Sequence, residues 1–288
     1  MQRPNVATFF HEATNTATFV VSDPATRRAA IIDSALDFDA ASGRTETTHA
    51  DEVIAFVGAE KLSVDLILET HIHADHLTAA PYLKEQLGGE IGIGSGVVIA
   101  QKIFAEIFNA GSDFQPDGSQ FDLLFEDGAD FAVGDIPARV IHTPGHTPAC
   151  VTYVIGDAAF VGDTLFMPDF GTARCDFPGG EAKTLYLSIY KILALPDETR
   201  LFTGHDYKAP GRDEFAFESC VAEQREKNKH IGGGVSKDEF VEMRETRDAE
   251  LNVPKLLLPA VQVNMRAGHF PPVEDNGASY LKIPLNKI

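Results

Sequence analysis

Two spacings of apolar residues alternate along the chain, and together they predict most of its elements. The runs Ala17-Thr-Phe-Val-Val-Ser22 and Ala29-Ala-Ile-Ile-Asp33 are apolar and β-branched, and the turn sequence Asp23-Pro-Ala-Thr between them predicts a hairpin. Helical spacing covers Ala50 to Val57, and Asp65-Leu-Ile-Leu-Glu69 then reads as a short buried strand. Leu77 to Leu87 is predicted helical up to Gly88-Gly89, Ile91 and Ile93 mark a strand, and Val97 to Phe108 another helix.

The middle of the chain is richer in strands. Asp130 to Val133, Ala138 to His142, Cys150 to Ile155 and Ala158 to Gly162 are short runs bounded by Gly, Pro or Asp. A helix near Lys183 to Leu193 and the strand Arg200-Leu-Phe-Thr203 follow. The tail from Glu214 onward is expected to be mostly helical, with a capping box at Ser236-Lys-Asp-Glu239. Two series of strands and helices around a loop-rich centre predict an α/β chain folded as a four-layer αββα sandwich. No linker divides it, so residues 1–288 are expected to form one domain with a helical C-terminal extension over about 214–288.

Composition narrows the class. Acidic residues number 43 against 24 Lys and Arg, a formal charge of −19 that repels phosphate backbones and anionic membranes. No nucleic-acid or membrane partner is therefore expected, and no apolar stretch reaches the 18 residues of a spanning helix. The N-terminus lacks the features of a secretory or transit sequence. Three cysteines, Cys150, Cys175 and Cys220, cannot make a paired disulfide framework. The expectation is a cytoplasmic protein with reduced thiols.

The chemistry concentrates at strand ends. Thr70-His-Ile-His-Ala-Asp-His76 follows the strand Asp65 to Glu69, and in extended backbone His71 and His73 share a face. Asp75 and His76 fall where the chain turns into the next helix. Imidazole and carboxylate together suit Zn, Fe, Mn or Ni. Three later strands end in the same residue types: Ala138 to His142 leads through Pro144-Gly145 to His146, Ala158 to Gly162 ends at Asp163, and Arg200 to Thr203 ends near His205. The remaining histidines (His11, His49, His142, His230 and His269) have no such context.

The order HxHxDH, then a distant His, then Asp, then His, resembles the metallo-β-lactamase superfamily over at least Ala17 to Tyr207. That resemblance implies the αββα sandwich with a metal site at the sheet edge. All seven ligand positions of the superfamily are filled. One reading is therefore a dinuclear zinc hydrolase of thioesters, of glyoxalase II type. His71, His73 and His146 would then hold one Zn and Asp75, His76 and His205 the other, with Asp163 bridging.

Further segments resemble the persulfide (sulfur) dioxygenases. They are Gly171-Thr-Ala-Arg-Cys-Asp-Phe-Pro-Gly-Gly180, Ala182-Lys-Thr-Leu-Tyr-Leu-Ser188, His205-Asp-Tyr207, Leu251-Asn-Val-Pro-Lys255 and Val263-Asn-Met-Arg-Ala-Gly268. The insertion from Asp37 to His49 and the ending Tyr280 to Leu285 resemble a bacterial, single-domain subgroup, so no fused rhodanese domain is expected. This resemblance implies one Fe(II) per chain, held by His71, His146 and Asp163. His73, Asp75, His76 and His205 would then orient ligands and hold water. The implied reaction oxidises glutathione persulfide with O2 to sulfite and glutathione.

His205 and Tyr207 are expected at the reacting groups, with Tyr207 donating a hydrogen bond to the substrate or to oxygen. Glutathione carries two carboxylates. Arg174 is the first candidate to bind one, because guanidinium pairs with a carboxylate in two parallel bonds; a salt bridge that shapes the loop is its competing reading. Lys208 and Arg212 are weaker candidates, against which stand ordinary solvated charges. Cys175 reads as packing rather than as a redox group. Dimers are common in the family, so a homodimer is an open expectation.

Overall fold

The computed structural model describes residues 2–287. In the first half the chain forms β1 (Asn5–His11), β2 (Thr16–Ser22), β3 (Arg28–Ile32), β4 (Ala35–Asp39) and β5 (Arg44–Glu46). After α1 (Thr48–Ala59) come β6 (Ser63–Leu68), β7 (Leu77–Thr78), α2 (Ala80–Leu87), β8 (Glu90–Gly94), α3 (Val97–Phe108) and β9 (Leu123–Phe125). The second half begins with β10 (Asp130–Val133), β11 (Ile136–His142), β12 (Val151–Ile155) and β13 (Ala158–Gly162). It continues through α4 (Ala182–Leu193), β14 (Arg200–Thr203), β15 (Glu218–Cys220), α5 (Val221–Lys227), α6 (Lys237–Asp248) and α7 (Leu257–Asn264).

Two six-stranded sheets result, in the orders β1-β2-β3-β6-β8-β9 and β10-β11-β12-β13-β14-β15. Strand alternation explains how both faces of each sheet are covered. In β2, Phe19 and Val21 point between the sheets, where Phe19 lies 5.4 Å from Phe160 and Phe160 stacks on Phe202 at 5.0 Å. Val20, between them in sequence, points outward to join Val53, Leu83, Phe104 and Val261 from α1, α2, α3 and α7. Beyond the other sheet, Ala159, Val161 and Leu201 pack on Leu185, Ile189 and Phe240 of α4 and α6. The layers are therefore αββα, as the alternation of elements implied.

Several elements differ from the reading of the sequence. Leu77 and Thr78 pair with β4 rather than beginning α2, which starts at Ala80. The segment after β3 folds into the hairpin β4-β5, and β1 adds an edge strand to the first sheet. The tail beyond Glu214 contributes β15 to the second sheet as well as three helices, and residues 269–287 carry no helix or strand. Ser236 and Glu239 do form the reciprocal capping box, Ser236 Oγ accepting from Glu239 N while Glu239 accepts from Ser236 N at 2.9 Å. Among the described residues no helix is long and apolar enough to cross a membrane.

Candidate metal centre

The strand ends of both sheets converge, so residues far apart in sequence meet at one edge. The ligand atoms of His71, His146 and Asp163 lie within 4.8 Å of one another. The same holds for Asp75, Asp163 and His205, and for His73, Asp75 and His76. Asp163 belongs to two of these sets: its Oδ2 is 3.7 Å from His71 Nε2 and 3.6 Å from His146 Nε2, and its Oδ1 is 3.4 Å from His205 Nε2. All seven positions named from the sequence therefore sit together.

Each imidazole is held by its other nitrogen. Asp33, at the end of β3, accepts from Thr70 N at 2.7 Å and from Thr70 Oγ1 at 2.8 Å. Thr70 Oγ1 has then spent its proton, so it accepts from His71 Nδ1 at 3.0 Å, and His71 Nε2 keeps its lone pair for a metal. His146 Nδ1 donates to the Arg174 carbonyl at 2.7 Å, and His205 Nδ1 to the Asn15 carbonyl at 2.9 Å. His73 Nε2 lies 3.1 Å from both Asp33 and Glu69 carboxylates. Asn264 of α7 donates to the carbonyls of His73 and His76 at 2.9 and 2.7 Å, fixing the loop between them.

His71 Nε2, His73 Nδ1, His76 Nε2, His205 Nε2 and Asp163 Oδ1 are buried and have no hydrogen-bond partner. An unsatisfied buried polar atom costs about 1–3 kcal/mol. So many at one point, all on metal-type donors, fit a bound cation, which would satisfy them together. Burial lowers the His76 imidazole to about 4, with the charge of His73 adding to the effect, so it is kept neutral as a ligand must be. Burial alone would raise the Asp75 carboxyl, but His205 and His76 hold it well below the usual range.

Asp33, Glu69 and Asn264 were not singled out from the sequence. Asp33 carried a signal, since it ends an apolar strand just as Asp163 does. Glu69 and Asn264 act through contacts that only the folded chain creates.

A cavity of about 310 Å³ opens over His146 and Asp163, walled by Phe166, Phe170 and Phe177. Tyr207 closes one side, its ring parallel to His205 at 5.7 Å and 5.1 Å from Phe170. Desolvation, and then the charges of Asp75 and Asp163, raise the Tyr207 phenol, so it stays a hydrogen-bond donor. Arg174 lines the same cavity, but its guanidinium grips Asp176 through two bonds of 2.6 Å and donates to the Asn252 carbonyl. Arg212 is likewise engaged, by Asp169 and Asp206, and Lys208 lies over the Phe215 ring at 4.4 Å. Burial pushes the Cys175 thiol up to about 12, in keeping with packing.

Gly145 lets His146 reach its place. Its φ is +136°, and a Cβ there would lie 2.3 Å from the backbone nitrogen of Leu185 in α4. Gly145→Ala is expected to destabilise the fold by about 1–3 kcal/mol. Because the shift falls on the ligand loop, metal affinity should also drop by roughly 10–100-fold. Denaturant unfolding and competition with a chelator read the two effects separately, and wild-type values in both would refute the assignment.

Comparison with known proteins agrees with this geometry. The metallo-beta-lactamase superfamily profile matches residues 13–205. A "probable metallo-hydrolase" of Burkholderia pseudomallei is 54% identical, over 97% of this chain and 98% of that one. "Glyoxylase B2" of Dictyostelium discoideum is 52% identical, over 95% and 94%. The human mitochondrial persulfide dioxygenase ETHE1 is 33% identical, over 90% and 87%. Among solved structures, ETHE1 from Myxococcus xanthus superposes with a TM-score of 0.73 at 30% identity, covering 92% of this chain and all of that one. With its ligand set intact and its sheets arranged to present it, the chain belongs to the metallo-beta-lactamase superfamily.

Proposed function

We propose that the protein is a mononuclear, iron-dependent persulfide dioxygenase acting on glutathione persulfide. The observation that carries this reading is the triad His71, His146 and Asp163. Two imidazoles and one carboxylate, with ligand atoms within 4.8 Å of each other, are the donor set that would hold a single ferrous ion of the two-histidine, one-carboxylate kind. The likeness to persulfide dioxygenases in sequence and in structure supports it.

A ferrous ion held by His71, His146 and Asp163 would supply the redox chemistry that couples a soft sulfur anion with dioxygen. The chain does the rest. Thr70 and the Arg174 carbonyl aim His71 and His146. Phe166, Phe170 and Phe177 give the cavity an apolar wall. Tyr207, its ring parallel to His205 at the cavity wall, would serve as a phenol donor to the substrate. In balance, the persulfide, dioxygen and one water give glutathione and sulfite. The outer sulfur is oxidised, dioxygen is reduced, and the S–S bond breaks with the inner sulfur leaving as thiol.

A second reading is favoured by the cluster Asp75, Asp163 and His205, which would hold a second cation with Asp163 bridging. Such a pair would suit a dinuclear zinc hydrolase, and two of the relatives are named as a probable metallo-hydrolase and as Glyoxylase B2. The deciding experiment is oxygen consumption on adding glutathione persulfide to iron-loaded protein. The expected result is uptake with sulfite formation at about one iron per chain. No uptake from iron-loaded protein, with hydrolysis of S-lactoylglutathione after zinc loading, would replace the first reading by the second.

A further inference from the structure

The turn between β1 and β2, residues 12–15, folds against the metal centre. Asn15 takes φ +56°, a left-handed conformation that asparagine tolerates, and its carbonyl receives His205 Nδ1 at 2.9 Å. Ala17 N donates to the Gly204 carbonyl at 2.8 Å, which ties the turn to the loop that carries His205. A threonine stands on either side of Asn15. Thr14 Oγ1 donates to Thr16 Oγ1 at 2.9 Å, and Thr16 Oγ1 donates to Asp75 Oδ2 at 3.3 Å. With its proton spent on Asp75, Thr16 Oγ1 accepts from His76 Nδ1 at 3.3 Å, and His76 Nε2 keeps the lone pair that a ligand needs. Asp75 Oδ2 is also 3.3 Å from His76 Nδ1, but it faces His205 Nε2 at 3.2 Å as well. Asp33 and Thr70 hold His71 by the same device.

The chain of hydroxyls begins at His11, at the end of β1. Thr14 has committed its proton to Thr16, so His11 Nδ1 donates to Thr14 Oγ1 at 2.7 Å. On its other side, His11 Nε2 lies 3.2 Å from Asp37 Oδ1 of β4, and Asp37 Oδ2 accepts from His49 N of α1 at 3.0 Å. The His11 ring is buried and packs beside the His49 ring at 5.0 Å, so it has little room to turn. Thr16 and His76 are fully buried, so water cannot replace a missing partner there without rearrangement. Among the described residues, the Nδ1 bonds of His71 and His146 run instead to Thr70 and to the Arg174 carbonyl.

We propose that His11 is a positioning residue of the metal centre, which through Thr14 and Thr16 fixes the orientation of Asp75 and the Nδ1–H tautomer of His76. Asp37 anchors His11, and the two hydroxyls carry its orientation inward. The centre thus has two separate supports, Asp33 with Thr70 for His71, and His11 with Thr14 and Thr16 for Asp75 and His76. The inference holds for a one-metal oxygenase and for a two-metal hydrolase alike, because it concerns how these side chains are held.

The test follows the histidine ring protons by NMR in full-length, zinc-loaded protein carrying nitrogen-15 in its histidines. In wild type His76 should be the Nδ1–H tautomer, with that proton slow to exchange. Thr16→Val keeps the side-chain shape and removes the hydroxyl, so exchange at His76 should quicken about ten-fold, as for loss of one buried hydrogen bond. Thr16→Ser should return it to within about three-fold of wild type. His11→Leu should quicken it about three-fold, and His11→Asn, whose amide nitrogen can stand in for Nδ1, should restore it. The Nδ1–H signals of His71 and His146 should keep their wild-type rates in all four variants, which a general loosening of the fold would not allow. Unchanged exchange at His76 in both Thr16→Val and His11→Leu overturns the proposal. So do equal changes at His76, His71 and His146, or failure of both Thr16→Ser and His11→Asn to restore the wild-type rate. If Thr16→Val does not fold, the two His11 variants decide by the same criteria.

Discussion

Replacing Asp163 by Ala is expected to strip the protein of metal and to lower turnover by about 1,000-fold or more, beyond the 10–100-fold typical of a residue that merely orients a ligand. The physical reason is its position. Among the described residues, Asp163 is the only carboxylate facing His71, His146 and His205 together, at 3.4 to 3.7 Å. Without it, His71 and His146 lose the carboxylate that faces them both, and His205 keeps only Asp75, at 3.2 Å, among the described residues. Metal analysis of the purified variant beside wild type reads the effect directly, and retention of one iron per chain would remove Asp163 from the ligand set. His205→Ala sharpens the result. If one iron is held by His71, His146 and Asp163, that variant keeps it and loses activity by roughly 10–100-fold. If the chain binds two zinc ions, His205→Ala loses about half its metal.

Asp248→Ala is expected to cost about 3–5 kcal/mol, the usual penalty for leaving one member of a buried ion pair alone. Arg244 and Asp248 are 1% and 4% exposed and pair along α6. Between them they hold the segment in front of α4: Arg244 donates to the Thr172 carbonyl at 3.0 Å, and Asp248 accepts from Cys175 N at 2.9 Å. Arg174, whose carbonyl receives His146 Nδ1, lies between these two contacts. Loss of Asp248 should therefore lower the Tm by about 10 °C and weaken metal binding as well. Replacing both residues by apolar ones of similar size, as in Arg244→Met with Asp248→Leu, should recover much of the stability but not the metal affinity. Full recovery of both would show that α6 does not position His146.

The candidate metal ligands were legible because they obey local rules. HxHxDH at the end of a buried strand, and a His or Asp ending each of three more, can be read from spacing and flanking residues alone. The αββα layering followed from the same source, since strands apolar on both faces need cover on both sides. The substrate side behaved differently. Arg174 and Arg212 look free in sequence, yet each guanidinium is taken by carboxylates, Asp176 next to Arg174 and Asp206 and Asp169 around Arg212. His11 and Thr16 gave no sign of a role, because nothing in their neighbours reveals that the turn between them meets Asp75 and His76.

What the sequence determined by itself was the donor set, the apolar alternation that builds two sheets, and the cap that starts α6. Those depend on residues within a turn or a strand of each other. Only the tertiary structure decided which nitrogen of each histidine is free and which charges already have partners. Contacts such as Asp33 with Thr70, Asn264 with His76 and Asp248 with Cys175 span between 37 and 188 residues of chain. Such pairings exist only after the layers have packed, and no local pattern encodes them.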